Sequence, residues 1–234
     1  MKDRFLSNLS HEMRTPLTTV IGASTFLRDY ESDQESRREM ADAILDACDL
    51  LKLHLDKMFR AVQLRTSGDS LDPGEIDPVT LVSEAADLAG IEDLSAEIED
   101  GLEPFRADMR RMSRAVANLL ENAVKFGCGE ERVILRMERC NRPAPSVAIS
   151  VLDRNESIPD EDRERIFLAF EQGGDPLTGK PNGIGLGLYE SRGIAELHGG
   201  SLHYRERDGG GNEFRLVLPM VSEAAMERTE VAGG

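Results

Sequence analysis

Cysteine is scarce in this sequence, and the few cysteines follow no metal-binding pattern. The 234 residues contain three, Cys48, Cys128 and Cys140, an odd number without a C-x-x-C spacing. Structural zinc sites use that kind of spacing, so the cysteines give no indication of one. We expect reduced thiols that pack as small apolar groups in an intracellular protein.

Long apolar runs and clustered positive charge are also absent. No stretch approaches the roughly 18 apolar residues that a membrane helix needs, and no signal peptide is recognisable. Lys and Arg total 28 against 44 Asp and Glu, which gives a formal charge of −16. Because such a chain repels polyanions, we expect a soluble protein without a nucleic-acid partner and without membrane contact by this segment.

The first 66 residues have the apolar spacing of two bundle helices, at about 5–30 and 35–64, joined by the polar stretch 29–36. The expected seam positions are Leu6, Leu9, Met13, Pro16, Val20, Ala23 and Leu27 in the first helix, and Ile44, Ala47, Leu51, His54, Met58 and Ala61 in the second. Two helices cannot surround an apolar stripe completely. We therefore expect two chains to pair, so that their hairpins form a four-helix bundle in a homodimer.

Residues 67–77 combine Gly, Pro, Ser and Asp and predict a linker. Beyond the linker, the apolar residues have helical spacing in some segments and strand spacing in others. This pattern predicts helices at about 78–89, 108–126, 160–170 and 186–198, and strands at 132–139, 146–152, 201–207 and 212–218. Asp77 and Asp108 are suitable N-caps. The predicted fold is α+β: an antiparallel helical hairpin followed by an α/β sandwich with a mixed, mostly antiparallel sheet. Residues 221–234 have the composition of a frayed tail, which we expect to be disordered.

His11 takes an outward position in the first helix, opposite the apolar seam. Thr15 lies one turn later on the same face and Arg14 three residues on, so a hydroxyl and a cation can approach a group attached to His11. A neutral imidazole has the lone pair that a nucleophile towards phosphorus requires. An exposed helical histidine alone would be an ordinary surface residue.

The surrounding string FLSNLSHEMRTPL, residues 5–17, closely resembles the phospho-acceptor box of histidine kinases. The resemblance implies that His11 is phosphorylated, that Glu12 helps to activate it, and that Thr15 orients water in a phosphatase reaction. Neighbouring residues do not face each other on a helix, so the role of Glu12 needs local bending, which Pro16 can supply.

Three further groups of residues indicate a nucleotide site. Asn118, Asn122 and Lys125 fall close to one helical face, where an amide oxygen suits Mg²⁺ and an ammonium suits phosphate. Asp153 ends a strand and can accept a hydrogen bond from an adenine amino group. Glycines at positions 183, 185 and 187 precede a helix and let backbone amides approach phosphates.

In this order, NLLENAVKF, Asp153, RIFLAF and NGIGLGL resemble the N, G1, F and G2 boxes of the ATPase domain shared by histidine kinases, DNA gyrase, mismatch-repair ATPases and a family of chaperones. The resemblance implies ATP and Mg²⁺ as cofactors, with the metal on Asn122 and residues 171–182 as a mobile lid. The implied nucleotide-binding residues are Asn118, Asn122, Lys125, Phe126, Asp153, Ile158, Phe170, Gly183, Gly185, Leu186 and Gly187. Phe167, by its spacing, is expected in the core.

One box departs from the pattern. The family usually has Asp-x-Gly-x-Gly, whereas this chain has Asp153, Arg154, Asn155, Glu156 and Ser157. Asn accepts a positive φ more readily than Ser does, and the added side chains can crowd the base. Weak nucleotide binding is therefore one expectation, and a phosphatase or signalling scaffold without kinase activity is the alternative function. A serine kinase of the anti-sigma type or a clamp-like ATPase is the third.

The resemblances together favour the catalytic core of a sensor histidine kinase in a two-component system, cut from a longer sensor. They imply domains at 1–66 for dimerisation and phosphotransfer and at 78–220 for ATP binding. The implied reaction is autophosphorylation of His11 from ATP and transfer to an aspartate of a response-regulator receiver domain. We expect a cytoplasmic location, compatible with a parent sensor that is anchored in a membrane.

Overall fold

The computed structural model of the chain describes residues 2–30, 33–66, 71–125, 133–141, 144–169 and 185–220, with the side chains of residues 2–12, 53–54 and 56–66 excepted. The chain divides into two compact units, which are described separately. One comprises residues 1–67 together with the described residues 168–169 and 185–186. The other comprises residues 68–167 and 187–234.

The first unit is a hairpin of two long helices, α1 (Lys2–Asp29) and α2 (Gln34–Thr66). Pro16 and Ala23 of α1 and Ala47 of α2 are buried, as the predicted seam requires. α1 continues as helix through Pro16. The side chains of His54, Met58 and Ala61 lie outside the described part. Several large apolar side chains stay exposed in the single chain: Leu17, Ile21, Leu45, Leu50 and Leu55.

The second unit is an α+β sandwich. Its elements, in chain order, are β1 (Gly74–Ile76), α3 (Pro78–Ala89), β2 (Ser95–Ile98), β3 (Phe105–Ala107), α4 (Met109–Lys125), β4 (Ile134–Cys140), β5 (Ser146–Leu152), a 3₁₀ turn (Arg165–Phe167), α5 (Gly187–Leu197), β6 (Ser201–Glu206) and β7 (Asn212–Pro219). The main sheet has the order β2-β4-β5-β7-β6. Only its β2–β4 pair is parallel among the described strands, and β1 and β3 form a separate antiparallel pair.

The core of this unit lies between the sheet and helix α4. Met112, Val116 and Leu120 of α4 are fully buried. So are Ile149 of β5, a strand that is buried along its whole length, and Leu216 of β7, in which buried and half-buried residues alternate. Both predicted caps are present: the Asp77 carboxylate accepts from the Thr80 backbone N–H at 2.9 Å, and Asp108 accepts from the Arg111 N–H at 3.0 Å. A central helix with a capped start, α4, therefore carries Asn118, Asn122 and Lys125, which are predicted for nucleotide binding.

Two parts of the secondary structure differ from the sequence prediction. Residues 160–169 form turns and a single 3₁₀ turn rather than a helix, and Phe170 lies outside the described ranges. Residues 160–165 are all charged, so the segment has no apolar face to bury as a helix until Ile166 and Phe167. β1 lies inside the predicted linker 67–77, and β2 and β3 were not predicted, because strands of three or four residues are too short to show alternation.

Candidate functional site

Asp153 follows β5 directly and is held as a buried carboxylate, only 3% exposed. Its Oδ1 atom accepts hydrogen bonds from the Asn155 backbone N–H at 2.9 Å and from Asn212 Nδ2 at 2.8 Å. Burial raises the pKa of Asp153, and these two donors partly oppose that rise. No donor to its Oδ2 occurs among the residues that the structure describes, which leaves one oxygen for a ligand.

Side chains occupy both positions where the resembling family has glycine, and both are bonded to the protein. Asn155, 8% exposed, donates from Nδ2 to the Ala123 carbonyl at 3.0 Å. Since α4 ends at Lys125, that carbonyl is among the last four of the helix, which lack intrahelical partners. Ser157 donates to a Glu206 carboxylate oxygen at 2.9 Å. The altered segment is therefore tied to α4 and to β6.

A tyrosine and an asparagine of the β6–β7 hairpin connect Asp153 to the rest of this segment. Tyr204 Oη donates to Asn212 Oδ1 at 3.0 Å and accepts from the Ile158 backbone N–H at 3.0 Å. The Arg163 guanidinium lies over the Tyr204 ring at 5.4 Å and donates to the Ile158 carbonyl at 3.1 Å. Hydrogen bonds with surrounding side chains therefore hold residues 153–158 in one conformation.

Tyr204, Asn212 and Arg163 were not predicted from the sequence. Asn212 did offer a signal, because asparagine is disfavoured in strands and here begins one after three glycines. The last of these, Gly211, has a φ of 100°, and a Cβ there would lie 2.2 Å from the Asp153 carbonyl oxygen. Glycine is required at this point because the hairpin backbone touches the end of β5.

The face of α4 predicted to bind phosphates lies against the start of α5. Asn118, 2% exposed, donates from Nδ2 to Glu190 Oε2 at 3.1 Å and to the Gly187 carbonyl at 3.4 Å. A Cβ on Gly187 would lie 3.8 Å from Asn122 Nδ2. Asn122 and Lys125 are half-buried. The structure therefore brings Asn118, Asn122 and Gly187 together.

The glycine-rich segment has the local geometry of a loop that starts a helix. Gly185 has a φ of 66°, in the left-handed region, and α5 begins two residues later at Gly187. The first N–H groups of α5 have no intrahelical partner and carry the positive end of the helix dipole, which favours anions. Leu186 is buried. Gly183, Phe126, Phe170 and the predicted lid 171–182 lie outside the described residues.

The residues present fit a magnesium nucleotide. In the described ranges, no cluster of three or more His, Cys, Asp or Glu could hold a metal by itself. Mg²⁺ needs no such cluster, since it keeps several waters and binds through one or two protein oxygens and substrate phosphates. The amide oxygens of Asn118 and Asn122, the Lys125 ammonium and the start of α5 form such a donor set.

The predicted phospho-acceptor residues lie on α1. The helix backbone includes His11 and Glu12, whose side chains lie outside the described part of the chain. Arg14 and Thr15 are exposed, whereas Pro16 is buried. Position 11 is one turn before Thr15, so it falls on the same helical face as that exposed residue.

Two family models match this chain, one for each unit. The model described as His Kinase A (phospho-acceptor) domain matches residues 1–66, and the model described as Histidine kinase-, DNA gyrase B-, and HSP90-like ATPase matches residues 107–222. The chain belongs to the histidine kinases. Both the resemblance and the fold class inferred from the sequence are confirmed.

Individual relatives agree with the assignment of this histidine kinase core. It is 36% identical to the sensor histidine kinase AruS of Pseudomonas aeruginosa over 247 aligned positions, which cover 99% of this chain and 24% of AruS. The histidine kinase core thus spans about a quarter of that relative. Full-length ShkA, solved in complex with AMPPNP, is 27% identical with a TM-score of 0.67, covering 93% of this chain and 46% of ShkA.

A third relative supports the fold alone. Histidine kinase ThkA, solved in complex with the response regulator protein TrrA, has a TM-score of 0.70 at 21% identity, covering 92% of this histidine kinase core and 61% of ThkA. Within the described residues of this histidine kinase, no helix combines the length and apolarity needed to cross a membrane.

Proposed function

We propose that this histidine kinase core binds ATP with Mg²⁺, phosphorylates its own His11 and passes the phosphoryl group to an aspartate of a response-regulator receiver domain. The observation that carries the proposal is the state of Asp153. Its carboxylate is buried, fixed through Oδ1 by two donors, and free of protein donors at Oδ2 within the described ranges. A buried acid held in this way is arranged for a ligand that brings its own hydrogen-bond donor.

In the proposed complex the adenine amino group donates to Asp153 Oδ2, and the phosphates lie at α4 and the start of α5. Asn122, with Asn118, holds Mg²⁺, while Lys125 and the first N–H groups of α5 hold phosphate oxygens. Mg²⁺ neutralises charge on the phosphates. The motif positions Phe126, Ile158, Phe170, Gly183, Gly185, Leu186 and Gly187 complete the proposed nucleotide site.

The chemical step uses the imidazole of His11. A ring nitrogen attacks the γ-phosphorus with its lone pair, a P–N bond forms, and the bond from phosphorus to the β,γ-bridging oxygen breaks, so that ADP leaves with the electron pair. Glu12 accepts the proton from the other ring nitrogen and so raises the nucleophilicity of the imidazole. Arg14 offers a cation to the transferred group, and Thr15 orients water in the reverse, phosphatase reaction.

The second transfer goes to a carboxylate of the partner. An aspartate oxygen of the receiver domain attacks the phosphohistidine, the P–N bond breaks, and an acyl phosphate forms. The motif at residues 5–17 supports this partner. Because ATP and receiver domains are found in the cytoplasm, the reaction implies a cytoplasmic location for this segment.

Asn155 and Ser157 stand where the family has glycine. These replacements favour the alternative function, a phosphatase or scaffold without kinase activity, only if their side chains occupy the position of the adenine base. The hydrogen bonds of Asn155 and Ser157 to Ala123 and Glu206 argue for the kinase, because both side chains are already committed to protein groups. A loop that is fixed before binding also loses less conformational entropy when the nucleotide arrives.

The deciding experiment incubates the purified chain with γ-labelled ATP and Mg²⁺ and tests the acid and base stability of the label. We expect an acid-labile, base-stable phosphate that is lost in His11→Ala. His11→Ala should still bind nucleotide, since His11 is not part of the nucleotide site. A folded wild-type chain without label would support the scaffold, and an acid-stable label on a partner would support the serine kinase.

A further inference from the structure

Glu190 is a buried acid beside the proposed phosphate site and has no role in the mechanism above. It lies in the first turn of α5 and is 5% exposed. Glutamate is almost never buried to this extent unless its charge is compensated. The helix N-terminus compensates part of the charge, and the Asn118 amide donates to its Oε2 at 3.1 Å.

The contact with Glu190 determines which way the Asn118 amide faces. A carboxylate and a carbonyl can only accept hydrogen bonds, so the NH₂ group of Asn118 must face Glu190 and Gly187. The amide oxygen then points to the opposite side. In the described part of the chain no group donates to it. Without Glu190, only the longer, 3.4 Å contact with the Gly187 carbonyl would hold this orientation, and the amide could more easily rotate by 180° and present its NH₂ group to a cation.

We infer that Glu190 is a positioning residue for the magnesium end of the nucleotide site. It holds the Asn118 amide in the orientation that offers oxygen to Mg²⁺, next to Asn122, and it adds negative charge near the cation. Gly187 lies in the same contact between the helices, since a Cβ there would be 3.6 Å from Asn118 Cβ. The inference rests on the proposed ATP and Mg²⁺ binding.

Two substitutions separate orientation from charge. Glu190→Ala removes both the acceptor and the charge. Glu190→Gln removes the charge and leaves an amide that can accept from or donate to Asn118, so it fixes the orientation less firmly. Outer-shell groups of metal sites typically contribute about 10- to 100-fold in metal affinity. We expect about 10-fold weaker Mg²⁺-dependent binding for Glu190→Ala and a smaller loss, about 3-fold, for Glu190→Gln.

The test measures the affinity of the full chain for a non-hydrolysable ATP analogue by calorimetry, once with a titration of Mg²⁺ and once in EDTA. If Glu190 positions the Asn118 amide, both variants should need more Mg²⁺ for half-maximal binding of the analogue, which is a higher Mg²⁺ midpoint. Their affinity for the analogue in EDTA should equal that of wild type. Glu196→Ala, an exposed glutamate of the same helix, is the matched control and should leave both values unchanged. In an Asn118→Ala background, Glu190→Gln should have a smaller effect on the Mg²⁺ midpoint, because only its charge contribution is left to lose.

An unchanged Mg²⁺ midpoint in Glu190→Gln, the more conservative variant, would overturn the inference even if Glu190→Ala fails to fold. Equal losses of affinity with Mg²⁺ and in EDTA would also overturn it, because they would indicate a general structural role. A wild-type chain that binds no analogue under either condition would instead reject the proposed function itself.

Discussion

Asp153, which we propose to bind adenine, is a buried acid that lowers the stability of the folded chain when it is ionised. Burial raises its pKa above the ordinary value, although Asn155 and Asn212 donate to the carboxylate. A carboxyl whose folded-state pKa is raised binds its proton more tightly in the folded chain, so the folded state gains stability as pH falls through that pKa. At neutral pH the ionised, buried Asp153 therefore destabilises the folded chain when no ligand is bound.

Asp153→Asn should therefore stabilise the ligand-free protein while it abolishes nucleotide binding. The Asn side chain keeps an oxygen that can accept both donors, and it carries no charge. We expect a Tm increase of about 2–4 °C for each kcal/mol gained at pH 7, together with an ATP affinity at least about 10-fold lower.

The measurement is thermal unfolding with and without ATP and Mg²⁺. Wild-type Tm should rise with ligand and that of Asp153→Asn should not. As pH is lowered towards the raised pKa, the stability difference between the two proteins should shrink. A variant less stable than wild type at pH 7 would show that the hydrogen bonds of the carboxylate outweigh its desolvation.

The residues that we propose for nucleotide binding are recognisable from the sequence where they depend on local pattern. Asn122 and Asp153 belong to short sequence motifs that resemble those of the family. The helical spacing of apolar residues predicted α4. The partners of the altered loop could not be found in this way. Asn155 bonds to Ala123, 32 residues earlier, and Asp153 is bonded by Asn212, 59 residues later. Such contacts depend on how strands and helices pack, which a single sequence does not encode in its periodicity.

Among the helices and strands, the start of α4 depends on Asp108. This residue is buried, accepts the Arg111 backbone N–H, and forms an ion pair with Arg111 Nε at 3.4 Å. Its own N–H donates to His198 Nε2 at 3.0 Å, next to the end of α5. Burial opposes ionisation of Asp108, but the hydrogen bonds from the backbone N–H groups of Arg111 and Asp72 and the charge of Arg111 lower its pKa on balance. The two helices of the proposed nucleotide site, α4 and α5, are thus joined at the ends that lie away from it.

We expect Asp108→Ala to lower the free energy of unfolding by about 1–2 kcal/mol at pH 7, because the N-cap and the ion pair are both lost. Since the folded-state pKa is lowered, the stabilisation is present above the unfolded-state pKa and is lost as pH falls through the folded-state value. Asp108→Asn should keep most of the cap and lose the charge.

Urea unfolding of wild type, Asp108→Ala and Asp108→Asn at pH 7 and near pH 3 measures these effects. The difference in unfolding free energy between wild type and Asp108→Asn should narrow at the acid pH, whereas a larger part of the difference from Asp108→Ala should remain. A gap between wild type and Asp108→Asn that does not depend on pH would contradict the assigned charge effect.

For the molecule as a whole, the helical hairpin leaves apolar surface exposed in one chain. Ile21 is 58% and Leu45 62% exposed, and Leu17, Leu50 and Leu55 are also accessible. Burial of such side chains contributes about 1.5–3 kcal/mol each, which a partner hairpin would supply in the four-helix bundle expected from the sequence. The formal charge of −16 on each chain opposes this association.

We therefore expect a homodimer whose dissociation constant falls as salt screens the repulsion between the two chains. Ile21→Glu and Leu45→Glu should each shift the protein to monomer at micromolar concentration, because each removes apolar contact and adds a charge that the interface would bury. Leu88→Glu, at a 50% exposed leucine of α3 in the second unit, is the matched control and should remain dimeric.

Light scattering coupled to size-exclusion chromatography, at low and high salt, measures the mass. A wild-type monomer at all concentrations, or dimers of both hairpin variants, would exclude this hairpin surface as the dimer interface.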